Sequence, residues 1–376
     1  MSTAPEKSIP KYLQLKETIT RHFKDEHYEA DQKIPTEREL IEQFRVSRST
    51  VRQALEELTN EGIIYRQAGR GSFFSGKTPD GQPRSYLIGV ITPMISPYIY
   101  PQVIRGIDDV ARQRQYNIVL GSSNYNPEEE LRCIKQLLRK NIDGLLLHSC
   151  GGFLHFEDSE NFQAVKNLKI PVVFFDWEVD DPNVSYISLN DVEGGFKAVS
   201  YLIEAGHRRI ACIYPDETTP GNHRYQGYRK ALDVHGIDYD GALDKPIKFP
   251  KLDETKYVYV AMKELIALGD KMPSAVFFFN DDFVWRALPA IREAGLKVPD
   301  DVSLIGYDDS DIAALSDIQL TSVIHPKYQM GKWAAEMLFD QLEHKGPRIP
   351  RQTIIPPTLA IRNSVKRMNT PHEQEQ

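Results

Sequence analysis

A short run of arginine and hydroxyl side chains near the N-terminus has the chemistry needed to bind nucleic acid. Arg45, Arg48 and Arg52 supply positive charge, Ser49 supplies a hydroxyl, and no acidic residue occurs between positions 43 and 55. Guanidinium groups bind phosphates and guanine edges, and hydroxyls bind phosphates. These residue types therefore indicate a DNA-binding surface, provided that the local structure places them on one face.

A second group of polar and aromatic residues follows the apolar runs of the remaining chain. Carboxylates and arginine form strong charge-assisted hydrogen bonds with hydroxyl groups, and flat aromatic rings cover C–H faces, so the group suits a polyhydroxyl ligand. Each residue alone could instead cap a helix or form a surface ion pair. The candidate effector-binding residues are Tyr98, Tyr100, His148, Asp176, Trp177, Arg224, Asn280, Asp281, Asp308 and His325.

Two short helices with a tight turn between them are predicted to position the arginines. Thr36 precedes Glu39 by three residues, a capping-box pattern that predicts a helix start. Ser47 is the next plausible N-cap, and apolar residues at helical spacing predict a second helix over 48–61, which Gly62 is expected to end. Arg48 lies off the apolar stripe at the N-terminal end, where a recognition helix contacts bases.

A glycine-containing hairpin is predicted after the second helix. Apolar runs at 63–65 and 72–74 flank the segment 67–71, whose glycines permit a turn. The loop carries Arg66 and Arg70 and resembles a wing that lies along the minor groove or the DNA backbone. The positive charge of the N-terminal region is thus concentrated where DNA would bind.

Beyond a linker rich in proline and glycine at 76–85, apolar runs alternate with helical patterns. This alternation predicts parallel sheets covered by helices on both faces. A region of about 280 residues exceeds one small sheet and favours two α/β lobes with a cleft between them, at the carboxyl ends of the strands. The predicted strands are 86–91, 117–121, 144–147, 172–176, 210–214, 275–279, 304–307 and 320–324, and the predicted helices are 101–115, 127–141, 191–205, 222–235, 253–268, 281–294 and 326–343.

Composition restricts the location and the class of protein. The formal net charge of −7 opposes general DNA affinity, so binding must come from a local positive patch. Neither an apolar run of about 18 residues nor a signal pattern occurs, which favours a cytoplasmic protein without membrane contact. Cys133, Cys150 and Cys212 are widely spaced and are expected to be reduced core residues. The sequence has no nucleophile-elbow, HExxH or paired-CxxC pattern, so no catalytic residue and no metal site are predicted.

Residues 8–75 resemble the winged helix-turn-helix of the GntR family. The shared motifs are Pro-Thr-Glu-Arg-Glu-Leu at 35–40, Val-Ser-Arg-Ser-Thr-Val-Arg at 46–52 and Gly-Arg-Gly at 69–71. The resemblance implies base or phosphate contacts from the arginines, backbone contacts from the hydroxyls, and a glycine that lets the wing approach DNA. The predicted DNA-binding residues are Arg38, Arg45, Ser47, Arg48, Ser49, Thr50, Arg52, Gln67, Gly69 and Arg70.

Residues 86–365 resemble the LacI-type effector domain, which is itself similar to periplasmic sugar-binding proteins. The motifs are Ala-Gly-His-Arg-Arg-Ile-Ala at 205–211, Arg-x-x-Gly-Tyr at 224–228, Phe-Asn-Asp at 279–281 and Val-Ser-Leu-Ile-Gly-Tyr-Asp-Asp at 302–309. The resemblance implies a two-lobed, periplasmic-binding-protein-like fold. It also implies sugar contacts from Arg224, Asn280, Asp281 and Asp308.

The combination of a GntR-type head with a LacI-type body resembles that of arabinose-utilisation repressors. Segments 95–101, 190–195 and 321–327 are similar to theirs. The resemblance implies a homodimer that binds double-stranded operator DNA and is released when a sugar, L-arabinose, binds between the lobes. It implies no cofactor besides that effector.

Two alternatives remain open. The same architecture could sense another pentose or a purine, or a sugar-modifying α/β enzyme could carry the DNA-binding head, with Asp176, Asp308 and His325 as acid–base groups. The lack of a nucleophile motif or cofactor loop speaks against the enzyme. The predicted domains are a winged helix-turn-helix at 1–75, a linker at 76–85, a two-lobed effector and dimerisation domain at 86–365 and a tail at 366–376.

Overall fold

The chain divides into two compact units, Met1–Ser85 and Tyr86–Gln376. Several predicted features lie outside the described residues: most of the linker, the wing glycine Gly69, Cys150 and the tail beyond Met368. The computed structural model describes residues 10–25, 28, 31–67, 70–75, 84–95, 98–149, 159–248, 254–344 and 349–368.

The first unit consists of three helices followed by an antiparallel hairpin. Its helices pack around a core that includes the fully buried Ile19, Leu40 and Leu58. Gly62 has a φ of 69° at the end of the third helix, the left-handed conformation that glycine favours and the sequence predicts. The elements are α1 (Lys11–Asp25), α2 (Glu37–Phe44), α3 (Arg48–Asn60), β1 (Ile64–Gln67) and β2 (Gly71–Phe74).

The second unit contains two lobes, each built on one sheet. In the described part of the first lobe, six parallel strands form the sheet. Its strands are β3 (Leu87–Thr92), β4 (Asn117–Ser122), β5 (Gly144–Leu147), β6 (Val172–Phe175), β7 (Ser185–Leu189) and β13 (Gln352–Ile355), in the order β13-β7-β6-β5-β3-β4. Its helices are α4 (Tyr100–Gln113), α5 (Pro127–Leu138), α6 (Glu160–Lys166) and α12 (Lys327–Glu343).

The second lobe repeats this plan, with six strands in its described residues and an antiparallel strand at one edge. Its strands are β8 (Ile210–Pro215), β9 (Asp244–Ile247), β10 (Ala275–Phe278), β11 (Ser303–Asp308), β12 (Thr321–Ile324) and β14 (Thr358–Ala360), in the order β14-β12-β11-β10-β8-β9. Its helices are α7 (Asp191–Glu204), α8 (Thr219–Val234), α9 (Glu254–Ile266), α10 (Asp281–Glu293) and α11 (Asp311–Leu315).

Within its described residues, the chain passes between the lobes three times: from β7 to α7, from β12 to α12 and from β13 to β14. Helix α12 belongs to the first lobe, because Met330 and Leu338 pack with Ile88 of β3. Helix α7 belongs to the second lobe, because Leu202 packs with Cys212 of β8. Such connections form a hinge, and residues beside them are suited to sense the relative position of the lobes.

The predicted strands and helices are present with shifted ends, but β7, β9, β13, β14, α6 and α11 were not predicted. These elements are short, and β13 pairs with β7 more than 160 residues earlier in the chain. A strand of three to five residues gives too short a sequence pattern to predict its pairing with a strand so far away in the chain. The predicted start of α8 at 222 was late, since the helix begins at Thr219 with Pro220 in its first turn.

In the described part of the chain, no helix combines the length and apolar character needed to span a bilayer. The same residues contain no group of three or more His, Cys, Asp or Glu arranged to hold a metal ion. Cys133 and Cys212 are free and buried, as the sequence predicts for core thiols.

Candidate functional site

Side-chain caps fix the two helices of the candidate DNA-binding surface. Thr36 and Glu39 form the predicted capping box at the start of α2. Ser47 Oγ accepts a hydrogen bond from the backbone N–H of Thr50 at 3.2 Å, and its oxygen lies 2.9 Å from the Ser49 hydroxyl. Loss of such a cap costs about 0.5–2 kcal/mol. Ser47 therefore has a structural role at the start of α3, whatever its contact with DNA.

Arg48 and Arg52 project from the exposed face of α3. Their side chains are 77% and 65% exposed, whereas Val51 and Leu55 on the other face are buried. Each Nε lies 3.9 Å from a carboxylate oxygen of Glu37, the first residue of α2. Exposed ion pairs contribute about 0–1 kcal/mol. Both guanidinium groups are therefore free to leave Glu37 for a phosphate or a base.

The other predicted DNA-binding residues lie around this surface. Arg38 is exposed and donates from Nε to Glu42 at 3.1 Å, and Arg45 adopts a left-handed conformation with a φ of 51° between the helices. At the tip of the β1–β2 hairpin, Arg70 is exposed and its backbone N–H donates to the carbonyl of Gln67 at 3.1 Å. The positive side chains thus occupy the inter-helix turn, the exposed face of α3 and the hairpin tip.

Tyr98 and Asp308 connect the two lobes of the second unit. Tyr98 follows β3 of the first lobe, and its hydroxyl donates to Asp308 Oδ2 at 2.6 Å, at the end of β11 in the second lobe. Burial, reinforced by Asp308, raises the pKa of Tyr98 well above its ordinary value, so the phenol remains a donor. Asp308 has a φ of 92°, which is uncommon for a residue with a side chain and often marks a functional position.

A second connection between the lobes joins Asp176 to His325. Asp176 follows β6 of the first lobe, and its Oδ1 lies 2.7 Å from Nε2 of His325, which follows β12 of the second lobe. His148 Nδ1 lies 3.7 Å from the other oxygen of Asp176, and the ring of Tyr100 lies 5.5 Å from that of His148. Two histidines thus flank a single carboxylate, and Tyr100 packs against one of them.

The charges of this cluster depend on both burial and partners. Burial alone would raise the pKa of Asp176, but His325 and then His148 lower it to about 2. Burial opposes the charged form of His325, yet the Asp176 carboxylate raises the pKa of His325. For His148, burial lowers the pKa despite the same carboxylate. The two histidines therefore shift in opposite directions: Asp176 favours the charged form of His325, whereas burial favours the neutral form of His148.

Arg224 joins residues from several elements in the same cleft. Its Nε donates to Asp191 at 2.9 Å, and one Nη donates to the carbonyl of Phe279 at 2.8 Å and lies 3.7 Å from Asp308. The guanidinium lies 3.6 Å from the centre of the Tyr307 ring. Although burial opposes the charge, Asp191 and Asp308 raise the pKa of Arg224 above its ordinary value. Its side chain is only 7% exposed, so the cation is fixed in place.

Asp191 and Tyr307 were absent from the predicted site, although both contact Arg224. A signal for them lies in the glycine pair at 194 and 195. A Cβ on Gly194 would lie 2.2 Å from the Tyr307 hydroxyl, and one on Gly195 would lie 2.2 Å from the Arg224 carbonyl. Only glycine allows α7 and α8 to approach so closely. A glycine pair one turn after an aspartate thus indicates that the aspartate meets a neighbouring helix.

Three predicted site residues have structural contacts within the protein. Asn280 caps α10 by accepting a hydrogen bond from the Phe283 N–H at 3.0 Å. Asp281 is fully buried and accepts hydrogen bonds from Ser310 N–H and Ser322 Oγ, and burial, with Asp308 next, raises its pKa to about 7. Trp177 packs in the core of the first lobe and also lines the cavity beside Asp176. Asn280 and Asp281 therefore support the cleft, and contact of all three residues with a ligand stays a prediction.

The remaining predicted residues, from Tyr98 to His325, meet around the cleft between the lobes, although their strands are distant in sequence. A cavity opens beside the Asp176 and Asp191 carboxylates and is flanked by α8. Its lining also contains side chains that the sequence did not predict as site residues: Glu178, Ser188, Thr219, Pro220 and His223. Carboxylates and hydroxyls therefore converge there on a common space, and Arg224 is connected to it through its hydrogen bond to Asp191.

Comparisons with known proteins match both units. Residues 11–74 match the family described as bacterial regulatory proteins, gntR family, and residues 199–365 match the periplasmic binding protein-like domain. The arabinose metabolism transcriptional repressor of Geobacillus stearothermophilus is 34% identical over 96% of this chain and 99% of its own. A repressor of the same name from Halalkalibacterium halodurans is 29% identical over 88% of this chain and 90% of its own.

A solved structure described as the transcriptional regulator CelR–cellobiose complex has a TM-score of 0.65 and 28% identity, over 85% of this chain and 91% of that one. The match confirms the predicted two-sheet α/β body. The relatives are described as transcriptional regulators, which favours a regulator over the sugar-modifying alternative. The chain therefore belongs to the family of transcriptional regulators that join a GntR-type helix-turn-helix to a LacI-type, periplasmic-binding-protein-like domain.

Proposed function

We propose that the protein is a cytoplasmic, sugar-responsive repressor that binds operator DNA as a homodimer and leaves it when L-arabinose binds between the lobes. The observation that carries the proposal is the pairing of cleft side chains across the lobes: Tyr98 with Asp308, and Asp176 with His325. A ligand that bonds to both members of such pairs changes the balance between open and closed lobes.

The chemistry of the cleft supports a small polyhydroxyl ligand. Arg224 is a fixed donor, Asp176, Asp191 and Asp308 are acceptors, and Tyr98 has a hydroxyl of its own. Vicinal hydroxyls both donate and accept, so one sugar can satisfy the cation and the carboxylates together. The arabinose repressors among the relatives support L-arabinose as the first ligand to test.

The DNA-binding surface supports recognition of a two-fold operator. A single α3 reads one half-site, and a symmetric dimer presents two such helices at a fixed spacing. Since the net charge of the chain is −7, affinity must come from the local arginines and should fall steeply with salt. Sugar binding that alters the lobes would change the spacing of the two helices and weaken operator binding by a coupling of about 1–3 kcal/mol.

An operator titration with and without L-arabinose tests the proposal. We expect a fluorescent operator duplex to bind at nanomolar protein and to be released as L-arabinose is added, with sedimentation reporting a dimer. Tighter DNA binding in the presence of the sugar would reverse the proposed sign.

A ligand panel separates the remaining effectors. Calorimetry with L-arabinose, D-xylose, D-ribose, hypoxanthine and guanine should give heat only with the true effector. If a purine binds the protein and causes it to leave the operator, while L-arabinose has no effect, the effector is the purine. The proposed release of the operator by a ligand between the lobes would still hold.

A further inference from the structure

The loop that follows β11, residues Asp308 to Ser310, is held by hydrogen bonds from several elements. Ser310 N–H donates to Asp281 of α10 at 2.6 Å, and Asp309 N–H donates to Ser322 of β12 at 3.0 Å. Asp308 and Asp309 both have positive φ angles, 92° and 48°. Two consecutive residues in this conformation are unfavourable unless their surroundings fix them.

Lys327 supplies a further anchor for this loop. Its Nζ donates to the carbonyls of Asp308 at 2.6 Å, Asp309 at 2.7 Å and His325 at 3.3 Å. The residue is only 6% exposed. An ammonium group has three donors, and here each one meets a backbone carbonyl. Removal of a cation from water is costly. The three hydrogen bonds of Lys327 offset that cost and hold the ammonium group in its buried position.

Lys327 differs from the other two anchors in the lobe from which it comes. Asp281 and Ser322 belong to elements of the second lobe, as does the loop itself. Lys327 is the first residue of α12, which packs on the first lobe through Met330 and Leu338. A rotation of the lobes about the connection between β12 and α12 therefore acts directly on the three bonds of its Nζ.

We propose that Lys327 is a positioning residue that couples lobe movement to the orientation of Asp308, and thereby sets the affinity of the cleft for its effector. The inference rests on the proposed function only in that Asp308 contacts the effector. Its structural part, that the ammonium fixes the loop backbone, is independent of any ligand.

The first test measures the loop without ligand. Hydrogen–deuterium exchange of the full-length protein should be at least tenfold faster in the peptide that contains residues 308–310 after Lys327→Met. Lys197→Met is the matched control, because Lys197 of α7 donates to the carbonyl of Pro357 at another lobe crossing, at 3.0 Å. That control should leave exchange at 308–310 unchanged. Unchanged exchange in Lys327→Met would overturn the proposal, whether or not the wild type binds a sugar.

The second test measures L-arabinose binding by calorimetry. We expect Lys327→Met to weaken binding at least tenfold, Lys327→Arg to weaken it less than Met because the charge and the hydrogen-bond donors are kept, and Lys197→Met to match the wild type. If Met and Arg at position 327 weaken binding equally, or if all variants match the wild type, Lys327 does not position Asp308. Should the Met variant fail to fold, the same two readouts on Lys327→Gln decide, with the expectations given for Met.

The two proposals fail differently. A wild type that binds no sugar of the panel counts against the proposed function, while the exchange experiment still decides the role of Lys327. A wild type that binds L-arabinose, together with a Lys327→Met variant of equal affinity, leaves the proposed function intact and removes the positioning role.

Discussion

Arg48 in the head and Arg224 in the body are the same residue type in opposite environments. The Arg48 side chain is 77% exposed with a carboxylate at 3.9 Å, while Arg224 is 7% exposed with a carboxylate at 2.9 Å and an aromatic ring below it. The first must become ordered when DNA arrives, whereas the second is ordered before a ligand binds. The head therefore gains contacts on binding, and the cleft loses or exchanges contacts that already exist.

The largest effect that follows from this contrast is expected in the cleft. Asp308→Ala removes the partner of Tyr98 and one of the carboxylates beside Arg224, and leaves a buried cation less compensated. We expect sugar affinity to fall by about 3 kcal/mol or more, roughly a hundredfold, and the operator to be retained at sugar concentrations that release the wild type. Calorimetry and an operator titration provide the measurements.

Asp317→Ala is the control for that variant, because Asp317 is exposed and lies outside the cleft. A normal sugar response in Asp308→Ala would remove Asp308 from the effector site. Reduced operator affinity of the variant without sugar would mean that the head depends on the cleft even before the effector binds.

In the head, Arg48→Ala should weaken operator binding by about 1–3 kcal/mol if its guanidinium reads a base. The side chain has few contacts in the protein, so the free energy of unfolding should change little. Fluorescence anisotropy with the operator and with an unrelated duplex is the measurement, and Arg21→Ala, an exposed arginine of α1, is the control. An equal loss on both duplexes would indicate a phosphate contact instead of base recognition.

The contrast also extends to pH, since the buried cleft contains titrating pairs. Because the pKa of His325 is raised on folding, its charge stabilises the fold fully below its unfolded pKa of about 6.5, and the contribution is lost as the pH rises through the raised value. The Asp176 pKa, lowered to about 2, contributes above its ordinary 3.8 and is lost as the pH falls towards 2. The pair is thus most stabilising between about pH 4 and 6.5.

We therefore expect the difference in free energy of unfolding between the wild type and His325→Gln to be largest between about pH 4 and 6.5 and to decrease as the pH rises through the raised pKa of His325. Urea unfolding across this range is the measurement, and the exposed His344→Gln serves as the control. The charge of His325 also lowers the pKa of His148, so the pKa of His148 should rise in the variant. A difference that grows with pH would contradict the charged pair Asp176–His325.

The smallest effect is expected for Glu37→Gln in the head. The carboxylate lies beside Arg48 and Arg52 on a surface that faces phosphates, where its charge repels DNA. Its removal should tighten binding to an unrelated duplex by about two- to fivefold at low salt and lose that advantage at high salt. If Glu37 also orients the arginines, binding to the operator should improve less than binding to the unrelated duplex. An equal gain on both duplexes would mean that Glu37 acts only as a repulsive charge.

Local rules predicted the head better than the cleft. The capping box at Thr36, the cap at Ser47 and the glycine at 62 depend on residues three or four positions apart, and each was predicted correctly. In the cleft, the residues that follow strands were predicted, but their partners were not. Arg224 meets Asp191, 33 residues earlier, and such pairs depend on helix packing that no short pattern records.

The same limit explains why the sequence could not distinguish residues that support the cleft from residues that face it. Asp281 and Asp308 both follow a strand and both carry a carboxylate, so sequence pattern treats them alike. Packing against Gly306, where a Cβ would lie 2.1 Å from Asp281 Oδ1, turns Asp281 inward to the loop. Only the three-dimensional arrangement distinguishes a carboxylate that faces the cleft from one that holds its backbone.

The strands β13 and β14 lie next to each other in sequence, yet each completes the edge of a different sheet. During synthesis, the first lobe lacks its last strand until residue 355 has been added and the second lobe until residue 360, whereas the DNA-binding unit is made long before. A stop codon just before position 352 would thus yield chains that contain the DNA-binding unit but lack β13 and β14, the edge strands of the two sheets. Such chains should be degraded or aggregate in the cell, and any that persist would occupy the operator or compete for partner subunits without answering to the sugar.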